Sequence, residues 1–86
     1  MKVIILYHPR SEHARIVEDF ARDFTKQHDR KIELISLESR DGAATASLYD
    51  ITIYPSIIAL SDDGQILKIW QGSSMPLMSE VSYYTR

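Results

Sequence analysis

The stretch "LYHPRSEHARIVEDF", Leu6–Phe20, passes from an apolar strand through a proline-containing turn into an amphipathic helix. The strand is the continuous apolar and β-branched run Lys2–Tyr7, which is typical of a central strand covered on both faces. From Ser11 to about Gln27, apolar residues recur at helical spacing and predict a helix with one buried stripe. Because Ser11 stands where this helix begins, we expect its hydroxyl to be the N-cap.

The next two elements are a second strand and a short helix. "KIELISL", Lys31–Leu37, alternates only partly in hydrophobicity, so we expect a strand nearer to the edge of the sheet. Asp41 is the predicted N-cap of a helix over about 42–49, with Leu48 and Ile51 as apolar anchors. Since a helix joins the first two strands, they should be parallel, with a right-handed crossover.

The last third of the chain predicts a hairpin and a terminal helix. The third strand is "SIIAL", Ser56–Leu60, and the fourth is "ILKIWQ", Ile66–Gln71. The Asp-Gly pair of "DDGQ" between them is a strong signal for a tight hairpin. Pro76 is the expected start of the last helix, with Ser73 or Ser74 as its cap. The order of elements is therefore β-α-β-α-β-β-α.

Composition narrows the function classes. Eighty-six residues with 44% hydrophobic and 26% charged side chains predict a single soluble globular domain, 1–86. A net charge of −2 gives no general attraction to nucleic acid or to anionic membranes, so we predict neither as a partner. The apolar run Val3–Tyr7 is too short for a signal peptide, and we expect a cytoplasmic protein. The chain has no cysteine, which excludes disulfides, thiol catalysis and thiolate metal sites.

Three motifs, in order and at sensible spacing, resemble the thioredoxin-like superfamily, in its minimal thioredoxin or glutaredoxin form. "YHPRSEHAR" resembles the strand-turn-helix that usually carries Cys-x-x-Cys, with Ser11 and Ala14 at the two cysteine positions. "YDITIYPSIIAL" resembles the segment around the family's cis-proline, here Pro55, and "DDGQILKIWQG" resembles its last hairpin, closed by Gly72. The resemblance implies an α/β fold with a four-stranded mixed sheet, order 2-1-3-4, flanked by three helices. It cannot imply disulfide exchange, because a serine forms no mixed disulfide.

The resemblance also implies a groove between the start of the first helix and the cis-proline, where active relatives hold peptide or glutathione backbone. Side chains at a helix N-terminus could make this groove an anion site, because Arg10, His13 and Arg15 add positive charge to the backbone donors. The candidate ligand-binding residues are Arg10, Ser11, His13, Tyr54 and Pro55.

Our leading hypothesis is a redox-inactive binding or structural module that docks a protein or peptide partner, or a small anionic ligand, in this groove. The alternative is an enzyme that binds glutathione or another thiol, with Ser11 as hydrogen-bond donor. A third possibility is a scaffold or a subunit of a larger complex.

Other polar and aromatic residues predict no further chemistry. His8, Glu12 and His13 could be read as metal ligands, but solvated surface side chains are the simpler interpretation, because a metal site needs three or four converging ligands. We predict no metal, no cofactor and no catalytic residue. Trp70 is expected to cover the core from the fourth strand, and basic residues are not interleaved with aromatic ones as in nucleic-acid-binding surfaces.

Overall fold

The computed structural model describes residues 1–85. Four strands and three helices follow one another in the predicted order, β-α-β-α-β-β-α, which confirms the α/β assignment. Their bounds are β1 Lys2–Tyr7, α1 Ala14–His28, β2 Glu33–Ser36, α2 Arg40–Leu48, β3 Ser56–Leu60, β4 Ile66–Gln71 and α3 Met78–Tyr83. None of the helices within residues 1–85 combines the length and the apolar character needed to cross a membrane.

The strands form one mixed sheet in the order β2-β1-β3-β4, as predicted. β1 pairs with β2 in parallel, because α1 carries the chain back across the sheet, and with β3 in antiparallel. β3 and β4 form the antiparallel hairpin, whose register shifts between Ala59 and Leu60. β1 therefore lies inside the sheet, which explains its uninterrupted apolar run.

Helices cover both faces of this sheet. α1 and α3 pack on one face, where Phe24, Val17 and Val81 meet Ile5 and Ile57. α2 and the segment after it pack on the other face, and Ala46 and Ile51 there meet residues of β1 and β3, namely Ile4, Leu6, Ile58 and Leu60. Successive residues of β1 point to opposite faces, so this strand supplies both cores.

The start of α1 differs from the prediction. Its N-cap is His13, whose side chain makes no capping hydrogen bond, and the first helical residue is Ala14. Ser11 lies in a preceding turn, where its hydroxyl donates to the carbonyl oxygen of His8 at 2.6 Å. The prediction that Ser11 caps the helix is therefore wrong, because the turn closes on His8 before the helix begins.

α2 and its anchors also differ. Ser39, not Asp41, is the N-cap, and its hydroxyl accepts the backbone N–H of Gly42 at 2.9 Å. Ile51 is buried as expected, but Leu48 is 75% exposed and anchors nothing. The hydroxyl of Ser39 also donates to the carbonyl oxygen of Ser36, at 2.6 Å. This second hydrogen bond joins the N-cap of α2 to the end of β2.

The outer elements are shorter than predicted. β2 spans only Glu33–Ser36 and is an edge strand, as expected from its partial alternation. α3 begins at Met78 with Leu77 as its N-cap, and this cap makes no side-chain hydrogen bond. Neither Ser73 nor Ser74 caps the helix, and Pro76 lies before it. Trp70 packs against the core as predicted, and its Nε1 donates to Glu80 of α3 at 2.9 Å.

Candidate functional site

The turn between β1 and α1 is closed by its own hydrogen bonds. The backbone N–H of Ser11 donates to the carbonyl oxygen of His8 at 3.1 Å, and that of Ala14 donates to Ser11 at 3.2 Å. The backbone N–H of His8 in turn donates to the ring atom Nε2 of His13 at 3.3 Å. Three hydrogen bonds thus connect the end of β1, the turn and the first residues of α1.

His13 has an environment that disfavours its charged form. Its Nε2 accepts a hydrogen bond, which requires that this nitrogen carry no proton. Partial burial, and then the neighbouring His8, lower the pKa of His13 below its ordinary value. His13 is therefore neutral at pH 7 and adds no positive charge to the groove.

Tyr54 and Pro55 form the opposite side of the groove, joined by a cis peptide bond. The ring of Tyr54 meets the ring of His8 edge to face, with centroids 5.4 Å apart, and its hydroxyl donates to the carbonyl oxygen of Ile51 at 2.7 Å. Pro55 is buried, and its carbonyl oxygen accepts the backbone N–H of Gly72 at 2.9 Å. Within residues 1–85, neither the N–H nor the C=O of the Tyr54 backbone takes part in a hydrogen bond.

The two sides enclose an open pocket of about 450 Å³, lined by Glu12, His13, Ile16, Tyr54 and Ser73. Of the five predicted site residues, His13 and Tyr54 thus line a common pocket. Ser11, Arg10 and Pro55 do not line it. Ser11 instead stabilises the turn behind it.

The arginines predicted to attract an anion are already paired. Nε and Nη2 of Arg10 each lie 3.2 Å from a different carboxylate oxygen of Glu38, which is the two-pronged geometry that arginine favours. Nε of Arg15 lies 3.9 Å from a carboxylate oxygen of Asp19, one helical turn along α1. With His13 neutral as well, the groove carries less positive charge than the sequence indicates.

Three lining residues were absent from the predicted site. Ile16 is one of the apolar residues at helical spacing in α1, but it is 46% exposed. Its position on the helix, about 100° from the fully buried Val17, was the available signal. The sequence indicates Ser73 as a helix cap and Glu12 as a solvated surface charge or metal ligand, and neither as a residue of the groove. No group of three or more metal-binding side chains converges anywhere in residues 1–85, His8, Glu12 and His13 included.

Solved structures share this arrangement of strands and helices. Thioredoxin 1 from the thermophilic eubacterium Thermosipho africanus superposes with a TM-score of 0.68 at 17% identity, over 98% of this chain and 89% of that one. The chain has a thioredoxin-like fold. Mitochondrial thioredoxin 3 from Saccharomyces cerevisiae, in its oxidized form, superposes with a TM-score of 0.65 at 13% identity, over 96% and 74% of the two chains. No protein-family model and no curated protein matches the sequence.

This thioredoxin-like chain lacks the atoms that disulfide exchange requires. The motif resemblance places Ser11 and Ala14 at the cysteine positions, and the chain has no cysteine elsewhere. The hydroxyl proton of Ser11 is already donated to the carbonyl oxygen of His8. A thiol-binding enzyme that uses Ser11 as donor would have to break this bond first, so the geometry does not favour that alternative.

Proposed function

We propose that this chain is a single-domain, redox-inactive thioredoxin-like module that binds an extended peptide segment of a protein partner in the pocket beside Tyr54 and Pro55. The observation that carries the proposal is the unpaired backbone of Tyr54 at an open pocket. An extended peptide can pair with such a backbone as an added strand, and neighbouring pockets then select its side chains.

Two features favour a peptide over a small anion. The positive charges near the pocket are paired with Glu38 and Asp19. The pocket also exposes the aliphatic side chain of Ile16, which suits an apolar peptide side chain and offers nothing to phosphate.

The experiment is a selection from a randomised octapeptide library, followed by titration of the ¹⁵N-labelled protein with a selected peptide. We expect amide shifts at Tyr54, Ser73 and Ile16, and no comparable shifts with glutathione or inorganic phosphate. Amide shifts confined to α2 or to the hairpin at Asp62 would overturn the proposal.

Two exposed aliphatic residues offer a matched pair of variants. Ile16 lines the pocket and is 46% exposed, whereas Leu48, at the end of α2, is 75% exposed and does not line it. We expect Ile16→Ser to weaken peptide binding about fivefold, which corresponds to about 1 kcal/mol, and Leu48→Ser to leave it unchanged. Equal effects of the two substitutions would contradict binding in this pocket.

We also propose a cytoplasmic location. The proposal rests on the apolar run Val3–Tyr7, which is too short for a signal peptide and forms a strand of the sheet. Immunodetection after cell fractionation tests the location, and the protein should appear in the soluble cytoplasmic fraction.

A further inference from the structure

One acidic side chain, Glu12, lines the pocket and has no ion-pair partner in the described part of the chain. Glu12 is exposed, and no lysine, arginine or histidine among residues 1–85 forms an ion pair with it. The nearest arginines along the chain are Arg10, which is paired with Glu38, and Arg15, which lies beside Asp19. Glu12 therefore has no competing cation among residues 1–85.

The other lining residues do not offset this charge. The charged form of His13 is disfavoured, because partial burial and then the neighbouring His8 lower its pKa, and its Nε2 accepts a backbone N–H. The hydroxyl of Tyr54 donates away from the pocket to the carbonyl oxygen of Ile51, and Ile16 and Ser73 carry no charge. Glu12 is thus the one formal charge among the five described residues that line the pocket.

We propose that the bound peptide carries a lysine or arginine that pairs with Glu12, next to an aliphatic residue that packs on Ile16. This inference rests on the proposed function and adds the chemical class of the partner segment. Charge complementarity supports it, since a cation gains a carboxylate that has no ion-pair partner within residues 1–85, whereas an acidic peptide would meet like charge. Because the pair is exposed, its effect on affinity is a factor of about two to five, and salt weakens it.

The first test compares selections from the randomised octapeptide library. Wild-type protein should enrich lysine or arginine beside an aliphatic residue, and Glu12→Lys should enrich aspartate or glutamate at the same position. Glu33→Lys is the matched control, because Glu33 is also an exposed glutamate without an ion pair but does not line this pocket. It makes the same change in net charge and should retain the wild-type preference.

The second test uses the conservative substitution Glu12→Gln and one peptide selected by the wild type. We expect binding to weaken about threefold at low salt, and its dependence on NaCl concentration to become shallower, while circular dichroism stays the same.

Two failures are distinguishable. Peptides that lose binding with Ile16→Ser but show no basic preference would overturn this inference and leave the proposed function standing. A library that yields no peptide dependent on Ile16 would overturn both.

Discussion

At the scale of single residues, protonation of the His13 ring is coupled to a hydrogen bond of the turn between β1 and α1. Its Nε2 accepts the backbone N–H of His8, and protonation of Nε2 removes that acceptor. The ring centroid of His8 lies 6.3 Å from that of His13. Partial burial and then this neighbour lower the pKa of His13.

The pH dependence of folding follows from the direction of this shift. The pKa of His13 is lower in the folded chain than the roughly 6.5 of an unfolded one, so below about pH 6.5 the unfolded state binds the proton more readily. We expect the free energy of unfolding to fall as the pH drops from 7 toward 5, and to fall less in His13→Gln. Urea unfolding at several pH values measures both, and parallel profiles for the two proteins would refute the coupling.

At the scale of the elements, a side-chain N-cap distinguishes α2 from α1. The hydroxyl of Ser39 accepts the backbone N–H of Gly42 in α2. The hydroxyl of Ser11 lies in a turn before α1 and donates to the carbonyl oxygen of His8 instead of capping the helix. We expect Ser39→Ala to cost about 1 kcal/mol of unfolding free energy and Ser39→Asp to cost little, because aspartate also caps well.

Ser11 provides the comparison. Ser11→Asp should not rescue the stability lost in Ser11→Ala, since no cap is there to be replaced. Chemical denaturation of the four variants decides between the two sites. Rescue by aspartate at Ser11 would indicate that α1 begins earlier than the structure has it.

Gly42 reverses an ordinary rule of helix stability. Replacing a helical glycine by alanine usually stabilises a helix by up to about 1 kcal/mol. Here an added Cβ would lie 1.9 Å from the carbonyl oxygen of Ser36 and 2.7 Å from its carbonyl carbon, both backbone atoms at the end of β2. We expect Gly42→Ala to destabilise the protein by about 1–3 kcal/mol, as overpacking does. A higher melting temperature would contradict this close approach of α2 to the sheet.

These elements also show what sequence patterns predict and what they miss. β1, β3 and β4 were predicted with correct bounds, because their apolar runs are flanked by clear turn signals. The helix starts were missed because short-range hydrogen bonds decide them, from Ser11 to His8 and from Ser39 to Ser36. Such bonds depend on where a serine faces at the end of a strand, and hydrophobic periodicity carries no information on that.

The candidate site was predictable in part for the same reason. Tyr54 and Pro55 follow from motif order, and so does their position opposite the turn. The pairing of Arg10 with Glu38 cannot be predicted from motif order. The two residues are 28 positions apart in the sequence, and only the folded structure brings them together. The predicted anion site required Arg10 to be free to bind an anion, together with His13 and Arg15. That Glu12 has no ion-pair partner among residues 1–85 could likewise be established only from the folded structure.

At the scale of the whole molecule, the absence of cysteine from a thioredoxin-like fold predicts that the protein has no thiol-disulfide oxidoreductase activity. The chain superposes on thioredoxins over nearly its full length but has no cysteine. Dithiothreitol alone reduces insulin disulfides slowly. We expect the purified protein not to raise this rate above that of a protein-free blank. Activity that persists after removal of contaminating thiols would contradict the prediction.

The late start of α1 bears on whether thioredoxin-type chemistry could be introduced into this chain. Thioredoxin-type reactivity depends on a thiolate at a helix N-terminus, where the peptide dipoles stabilise its charge. Position 11 lies three residues before the helix, in a turn closed on His8, and Ala14 is only 6% exposed. Cysteines introduced at positions 11 and 14 would place one thiol outside the field of the helix dipole and bury the other. Two substitutions would therefore not suffice for an oxidoreductase, since the loop before the helix would also have to change.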